Sequence, residues 1–400
     1  MRALCILLLL IGLPVSAQTS ADITRDFPTW LEAELWPRAR AEGVARSTWD
    51  THAAGLTPDW DIPGLVLPGQ SVPKRQSQAE FRSPGRYFRN VAGTARPGRD
   101  LAQRYQSTLE AQEKRTGVPG HILLAIWGRE SAYGRVSIPH NALTVLATKA
   151  RLSTRADYFA AEFVAALQLI ETGAPTPLRS SWAGAIGQAQ FTPYNILEFG
   201  TDGDGDGVVD MNDSEADTLA SIATFLGEKG WQRGKDWGFE VKPTLPCTQI
   251  GGEPKTIRDW VAAGAARVSG RPFPAGELDT PARLLMPAGT NGPAFLVTPN
   301  FFVIKRNNVS DLYALYIGNT GDRIAYGSGD FRTPWGGVDT LLRSDIAQMQ
   351  QALIDQGFDT GGADGLPGTK TRRAIGLWQE SQGQEPTCFP DATILRTLTK

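Results

Sequence analysis

One glutamate stands at the end of an apolar helical stripe in residues 121–134, HILLAIWGRESAYG. On a helix, positions i, i+3, i+4 and i+7 share one face, and here they are Leu123, Ile126, Trp127 and Glu130. We therefore expect the Glu130 carboxyl group to be partly removed from water. Burial raises a carboxyl pKa, which suits a general acid that works near neutral pH. The alternative for these residues alone is a surface glutamate paired with Arg129 or Arg135.

A second segment, residues 181–194 with the sequence SWAGAIGQAQFTPY, combines small and polar residues. Its glycines Gly184 and Gly187 allow another backbone or a ligand to approach closely. Amides can hydrogen-bond to sugar hydroxyl and acetamido groups, and an aromatic ring can stack on a sugar. The candidate sugar-binding side chains of this segment are Gln188, Gln190 and Phe191. The alternative is a tight crossing of two helices through small residues.

An acidic loop follows at residues 202–213, DGDGDGVVDMND, and fits the twelve-residue EF-hand pattern. Gly207 falls at the sixth position, where that loop turns sharply. The candidate calcium ligands are five carboxylates and one backbone carbonyl: Asp202, Asp204, Asp206, Asp210, Asp213 and Val208. The twelfth position usually carries a bidentate glutamate, so we expect either Asp213 or the nearby Asp217 to supply the last oxygen. The alternative is a solvated acidic turn without a cation.

The composition excludes several functional classes. Hydrophobic residues make up 41% of the 400 and charged residues 20%, which excludes collagen, coiled coil and wholesale disorder. Lys and Arg total 40 against 42 Asp and Glu, with no basic run, so we expect no nucleic-acid partner. Three histidines leave little for a Ser-His-Asp triad or a histidine-rich metal site. We also expect no organic cofactor.

Helical patterns dominate the chain and must position these groups. Apolar residues recur at helical spacing in five segments: 26–42, 101–115, 155–171, 217–229 and 311–317. Short strand-like pieces at 283–286 and 294–297 lie among prolines and glycines. The predicted fold class is therefore mainly α (α+β) with a small β element. Beyond a linker at 336–343, two apolar stripes predict a small three-helix domain at 344–400.

The first seventeen residues have the features of a cleavable secretory signal peptide. Arg2 precedes an apolar run of 11 residues at 3–13, and residues 15–17 are small enough for cleavage. Such a run is too short for a bilayer core that needs about 20 residues, so we expect an exported protein without a transmembrane segment. Cleavage leaves Cys247 and Cys388 in different predicted domains. In an oxidising compartment they either pair or remain free.

Three motifs in order make the chain similar to the membrane-bound lytic transglycosylase B family of murein-cleaving enzymes. They are WGRES at 127–131, AGAIGQAQFTP at 183–193, and an Asn and a Tyr in a third segment. The resemblance implies a lysozyme-like catalytic domain in which Glu130 is the single acid/base. The residues that it assigns to the glycan groove are Gln190, Asn308 and Tyr313. Asn308 departs from the family pattern, which has an aromatic residue before it and a basic residue after it.

The reaction that the resemblance implies needs one carboxyl group. Glu130 protonates the glycosidic oxygen between N-acetylmuramic acid and N-acetylglucosamine, and the substrate's own N-acetyl group can stabilise the oxocarbenium-like centre. The resulting carboxylate deprotonates the muramyl 6-hydroxyl, which closes a 1,6-anhydro ring. Two alternatives stay open. One is a hydrolytic muramidase, with Glu162 or Glu171 as a second acid, and the other is a non-catalytic murein-binding scaffold protein.

The resemblance also bears on the acidic loop and on the C-terminal segment. The family carries one calcium site with an irregular distal ligand, which favours Asp217. The C-terminal segment looks like the peptidoglycan-binding type 1 domain through seven residues: Gln350, Asp364, Gly365, Gly368, Thr371, Trp378 and Gln379. Packing alone explains the apolar residues of so small a unit. Wall binding is therefore implied by the resemblance only.

These observations predict four consecutive parts of the chain. They are a signal peptide at 1–17, a catalytic domain at 18–335, a linker at 336–343 and a peptidoglycan-binding domain at 344–400. We expect a periplasmic monomer that acts on peptidoglycan glycan strands and holds one structural Ca²⁺.

Overall fold

Short helices joined by turns rich in Pro and Gly make up most of the protein. The computed structural model describes residues 18–68, 84–338 and 341–399. The predicted signal peptide lies outside these residues. The mainly helical, lysozyme-like fold with a small β element is confirmed. No helix within the three described ranges is both long and apolar enough to cross a bilayer.

Each helical segment that periodicity predicts overlaps a helix of the structure, and the one predicted over 311–317 extends to Tyr326. Further helices, such as those at 46–52 and 142–152, form where none was predicted. In chain order the helices are α1 Ser20–Trp30, α2 Trp36–Ala41, α3 Arg46–His52, α4 Val91–Arg104, α5 Gln106–Thr116, α6 Gly120–Ser131, α7 Ala142–Leu152, α8 Ala156–Glu171, α9 Pro193–Phe199, α10 Glu215–Glu228, α11 Ile257–Ala262, α12 Pro299–Ile304, α13 Asp311–Tyr326, α14 Arg343–Asp355, α15 Thr369–Ser381 and α16 Ala392–Leu398. The strands are β1 His140–Asn141, β2 Arg179–Ser180, β3 Gly238–Val241, β4 Lys255–Thr256, β5 Pro281–Leu285 and β6 Ala294–Val297.

Two helix predictions differ from the structure for local reasons. The helix expected over 26–42 begins at Ser20, because Thr19 and Asp22 form a capping box. A π-helical turn at Leu31–Leu35 then separates α1 from α2. The helix expected over 101–115 is interrupted at Tyr105, which lies between the end of α4 at Arg104 and the start of α5 at Gln106.

The described chain forms two compact units. The first contains residues 18–68, 139–185 and 192–194, and includes α1 to α3, α7, α8 and the small β1–β2 pair. Its core contains the predicted stripe of α8, in which the Phe163 ring meets Trp49 edge-on at 6.0 Å. Glu171, at the end of α8, accepts hydrogen bonds from the Ala45 amide and the Thr48 hydroxyl.

The second unit contains every described residue from 84 to 138, 186 to 191 and 195 onward. Helix α6 is buried on nearly all sides between α4, α13 and α5, as expected for a helix with so apolar a sequence. Four antiparallel strands form a sheet in the order β3-β6-β5-β4. All four residues of β6 are buried, because this strand lies inside the sheet and is covered on both faces.

Helices α14 to α16 form the three-helix element predicted for the C-terminus, with Met349, Ile375 and Trp378 in its core. Three residues shared with peptidoglycan-binding type 1 domains hold this element together. The Gln350 amide nitrogen donates to Thr371 at 2.9 Å, and its oxygen accepts the Gly365 amide at 2.7 Å. These motif residues therefore have a structural task.

A disulfide joins Cys247 to Cys388 across 141 residues of sequence. Cys388 is fully buried in an apolar cluster that also contains Trp260, Met286 and residues of the sheet. The C-terminal helices consequently belong to the same contact unit as the sheet. The sequence predicts a domain boundary at 344. The residues on the two sides of this boundary are joined in the structure by the disulfide and by an apolar cluster that includes Cys388.

We expect the double substitution of Cys247 and Cys388 by alanine to lower the free energy of unfolding by about 2–5 kcal/mol, because a cross-link over so long a loop restricts the unfolded chain. Urea unfolding of both proteins measures the difference. Dithiothreitol should lower the stability of the wild type to that of the variant and leave the variant unchanged. Equal stability of the oxidised wild type and the variant would contradict the expectation.

Candidate active site

Glu130 lies in the last turn of α6, at the position where its stripe predicts partial burial, and retains some exposed surface. The Tyr313 hydroxyl donates a hydrogen bond to Glu130 Oε1 at 2.6 Å. The Asn307 amide nitrogen lies 3.2 Å from the same oxygen and 2.6 Å from the Tyr313 hydroxyl. Two donors therefore converge on one carboxyl oxygen.

Burial is the main influence on the acidity of this site. It raises the pKa of Glu130, although the hydrogen bond from Tyr313, the charge of Arg129 and the hydrogen bond from Asn307 all oppose the shift. Burial, together with the neighbouring Glu130 carboxylate, raises the pKa of Tyr313 well above its usual value. Tyr313 therefore stays neutral and remains a donor, and Glu130 keeps its proton to higher pH than an exposed glutamate does.

The two arginines near Glu130 do not form an ion pair with it within the described residues. The Arg129 guanidinium lies over the rings of Tyr87 and Tyr316, at 4.8 and 4.6 Å from their centroids. Arg135 donates to the carbonyl of Ala132 at 2.8 Å. Glu130 is therefore not the surface glutamate paired with Arg129 or Arg135 that the sequence left as an alternative.

The segment 186–191 forms a strained turn against the acidic loop. Gly187 has a φ of +67°, and a Cβ at this position would lie 2.1 Å from the carbonyl oxygen of Met211, so a larger residue cannot replace it without a shift. Gln190 also has a positive φ, 53°, and its side-chain amide nitrogen donates to the Gly187 carbonyl at 3.0 Å. The close approach predicted at Gly187 is therefore present, and the group that approaches is the backbone of Met211.

Two predicted sugar-binding residues lie inside the protein. The Gln188 amide oxygen accepts the Trp127 indole N–H at 2.8 Å, and its nitrogen donates to the Asn212 carbonyl at 3.1 Å. Phe191 is 2% exposed and packs on Phe225 with 5.3 Å between ring centroids. Both side chains support the turn, so the structure does not place them in a groove. Gln190 remains partly exposed and stays a predicted substrate contact.

The structure brings Asn307 to Glu130, whereas Asn308, which was predicted to line the glycan groove, makes no hydrogen bond to that carboxyl group within the described residues. Asn308 is exposed, and its side-chain oxygen accepts the Ser310 amide at 3.3 Å. Sequence reasoning missed Asn307 because two asparagines are adjacent and neither has the flanking residues of the family pattern. The course of the loop backbone directs the Asn307 side chain to Glu130 and the Asn308 side chain elsewhere. Tyr313 was predicted as a site residue, and its contact with Glu130 agrees with that prediction.

The acidic loop gathers three of its candidate ligands. Carboxylate oxygens of Asp202, Asp204 and Asp217 all lie within 4.8 Å of one another. Asp217 is 1% exposed and accepts the backbone amides of Gly203 and Asp210 at 2.8 and 2.7 Å. Burial raises the pKa of Asp217, whereas backbone amides, that of Gly207 first, lower the pKa of Asp202. An oxygen-rich cluster with one buried carboxylate suits a hard cation.

The other candidate ligands have different positions. The Asp206 carboxylate accepts the Val208 amide at 2.8 Å, and the Asp210 carboxylate accepts the amides of Asn212 and Asp213 at 2.8 and 3.1 Å. Asp213 is exposed and is not part of the cluster. Between the two residues considered for the last ligand, the structure thus brings Asp217 to the cluster.

Comparisons with known proteins match two parts of the chain. The sequence profile of the transglycosylase SLT domain matches residues 26–322, and that of a putative peptidoglycan-binding domain matches residues 343–398. The membrane-bound lytic murein transglycosylase B of Escherichia coli is 30% identical over 225 residues, which cover 55% of this chain and 61% of that protein. The chain thus spans less than two thirds of that relative's length.

Solved structures extend the likeness. SltB3 from Pseudomonas aeruginosa, in complex with NAG-anhNAM-pentapeptide, is 31% identical with a TM-score of 0.82, covering 94% of this chain and 99% of that chain. The Escherichia coli lytic transglycosylase Slt35, in complex with calcium, is 23% identical with a TM-score of 0.54, covering 76% of this chain and 93% of that chain, and shares the fold. The resemblance carried by the motifs around Glu130 is confirmed, and the chain belongs to the transglycosylase SLT family.

Proposed function

We propose that the protein is a murein lytic transglycosylase that cleaves the β-1,4 bond between N-acetylmuramic acid and N-acetylglucosamine and leaves a 1,6-anhydromuramyl end. One observation carries the proposal: a single half-buried carboxyl group, Glu130, receives hydrogen bonds from Tyr313 and Asn307 at one oxygen only. The anhydro sugar ligand of the SltB3 complex supports this product.

The arrangement divides the tasks of the carboxyl group between its two oxygens. Oε1 accepts both hydrogen bonds, so the transferable proton resides on Oε2. Glu130 gives this proton to the glycosidic oxygen as the bond to C1 breaks. The carboxylate formed is stabilised by Tyr313 and Asn307, and it then takes the proton of the muramyl 6-hydroxyl. That oxygen attacks C1 to close the anhydro ring, so no water is consumed.

The two glutamates considered as a second acid have local structural partners. Glu162 accepts the backbone amide of Tyr194 at 3.0 Å. Glu171 accepts the Ala45 amide and the Thr48 hydroxyl at 2.7 and 2.8 Å. Because both carboxylates already bind local groups, we favour a reaction with one catalytic carboxyl group over a hydrolysis that uses two.

We further propose that the acidic loop holds one structural Ca²⁺ through Asp202, Asp204 and Asp217. The donor set fits the ion, because three clustered carboxylates repel one another until a cation neutralises them. The loop is connected to the active-site helix through side chains, since Gln188 bridges the Asn212 carbonyl and the Trp127 indole. Trp127 precedes Glu130 by one turn of α6. Bound calcium would thereby brace the catalytic glutamate.

The remaining expectations concern where the protein acts. The predicted signal peptide and the similarity to a murein transglycosylase support a periplasmic location. The match of residues 343–398 to a putative peptidoglycan-binding domain supports a tether that raises the local concentration of glycan strands. We propose that the protein works as a monomer on these strands.

The first test is mass spectrometry of purified sacculi digested by the wild type and by Glu130→Gln. We expect anhydromuropeptides, which lack one water, from the wild type and at least about 10²-fold less product from the variant, because a general acid contributes that much. Glu162→Gln and Glu171→Gln serve as matched controls and should retain the same products. Reducing-end products of full mass would instead identify a hydrolase, and sacculus binding without any product would identify a scaffold protein.

Tyr313→Phe should move the basic limb of the pH profile of kcat/KM to higher pH. The hydroxyl lowers the pKa of Glu130 through its hydrogen bond, so its removal raises that pKa and keeps the glutamate protonated at higher pH. Assays on soluble glycan strands measure the limb. Tyr316→Phe removes a hydroxyl one turn away that bonds to Thr94, and should leave the limb in place. A shift to lower pH would refute this role of Tyr313.

Calcium should raise the thermal midpoint of the wild type after treatment with a chelator, by an amount equivalent to about 2.7 kcal/mol at a concentration of 100 Kd. Asp217→Asn should abolish this calcium-induced shift, because it removes the buried charge of the cluster. Asp213→Asn is the matched control and should preserve the shift. Loss of the shift in the control alone would assign the ligand to Asp213.

A further inference from the structure

A buried ion triad joins the C-terminal helices to the loop that carries Asn307. Each carboxylate oxygen of Asp311 has one cation: Lys305 lies 2.6 Å from Oδ1, and Arg372 of α15 lies 3.2 Å from Oδ2. The side chains of Asp311 and Arg372 are 17% and 8% exposed. Burial acts to raise the pKa of Asp311, but the charges of Arg372 and Lys305 outweigh it and lower that pKa. The carboxylate is therefore ionised.

This triad closes the loop 306–310 at both ends. Lys305 follows the last residue of α12, and Asp311 is the first residue of α13. Asn307 lies inside the loop, and Tyr313 lies two residues beyond it. Ser310 caps α13 by accepting the Tyr313 amide at 3.2 Å. The ion pairs thus fix both ends of the segment from which the two donors reach Glu130.

Arg372 is itself held from two sides. Its other terminal nitrogen donates to the carbonyl of Pro287, just beyond β5, at 3.0 Å. The helix α15 that carries it belongs to the C-terminal domain, which the Cys247–Cys388 disulfide fastens to the sheet region. Arg372 therefore ties the loop 306–310 both to the C-terminal helices and to the chain just beyond β5.

We propose that Arg372, a residue of the wall-binding domain, is a positioning residue of the active site. It orients Asn307 and Tyr313 toward Glu130 by holding Asp311 in place. The C-terminal domain is then part of the catalytic apparatus as well as a tether. This inference rests on the proposed transglycosylase function and assigns to that site a contribution from a second domain.

The experiment compares kcat, KM and sacculus binding for the wild type, Arg372→Met and Arg372→Lys. We expect Arg372→Met to lower kcat by about tenfold or more, since small displacements of positioned groups have large effects on rate. Sacculus binding and KM should stay within about twofold, because the proposal gives Arg372 a role in holding the loop and none in contacting the glycan. Arg372→Lys retains the positive charge and should restore most of the rate.

A matched control and a double substitution separate positioning from general stability. Lys370→Met removes a neighbouring exposed cation of the same helix, which pairs with Asp359 inside the domain, and should leave kcat unchanged. In the Asn307→Ala/Tyr313→Phe background, Arg372→Met should reduce kcat little further, because both groups that it positions are already absent. Hydrogen exchange of the amides in 306–312 should rise in Arg372→Met and not in Lys370→Met.

Two results would overturn the inference. One is an unchanged kcat of Arg372→Met, with or without a loss of sacculus binding, and the other is a rate loss that multiplies in full with that of the Asn307→Ala/Tyr313→Phe double substitution. Failure of the proposed function is recognised separately, by the absence of anhydromuropeptides from the wild type. In that event, unchanged hydrogen exchange in the loop of Arg372→Met would overturn the coupling by itself, and increased exchange would uphold it.

Discussion

The hydrogen bond from the Tyr313 hydroxyl to Glu130 is the contact on which the rest of the site depends. A carboxyl group with a raised pKa can act as an acid only if its neighbours stabilise the anion that remains after proton transfer. They must not stabilise that anion so strongly that the group is already ionised before the reaction. Burial favours the protonated form of Glu130, and the donors Tyr313 and Asn307 favour the carboxylate. The balance lets one residue act first as an acid and then as a base.

Two separate supports hold the partners of this hydrogen bond. On the side of α6, the indole of Trp127 bonds to Gln188, which in turn bonds to the acidic loop at Asn212. On the side of α13, Asp311 bonds to Lys305 and to Arg372. Neither support touches the reacting atoms. Each fixes one end of the 2.6 Å contact between Tyr313 and Glu130, and such precision requires buried, directional bonds.

The C-terminal element shows how a small domain can serve two purposes. Its apolar core and the network around Gln350 explain why it folds, and neither requires a ligand. Its disulfide and its buried arginine explain why it stays attached to the sheet region and to Asp311. In the proposed function, a domain attached in this manner would bring the wall close to Glu130 and would also complete the scaffold around that residue.

Residue order and periodicity were enough to predict several of the long helices, the position of Glu130 on a buried stripe, the acidic loop and the likeness to a transglycosylase family. These properties depend on periodicity and on residue order, which are local. The tertiary structure alone decided that Asn307 and not Asn308 reaches Glu130, and that Asp217 and not Asp213 joins the cluster of acidic residues. It also buried Gln188 and Phe191, paired Cys247 with Cys388 and brought Arg372 to Asp311. Adjacent residues of a loop point in different directions, and their partners are far away in sequence, so only the packed backbone can select between them.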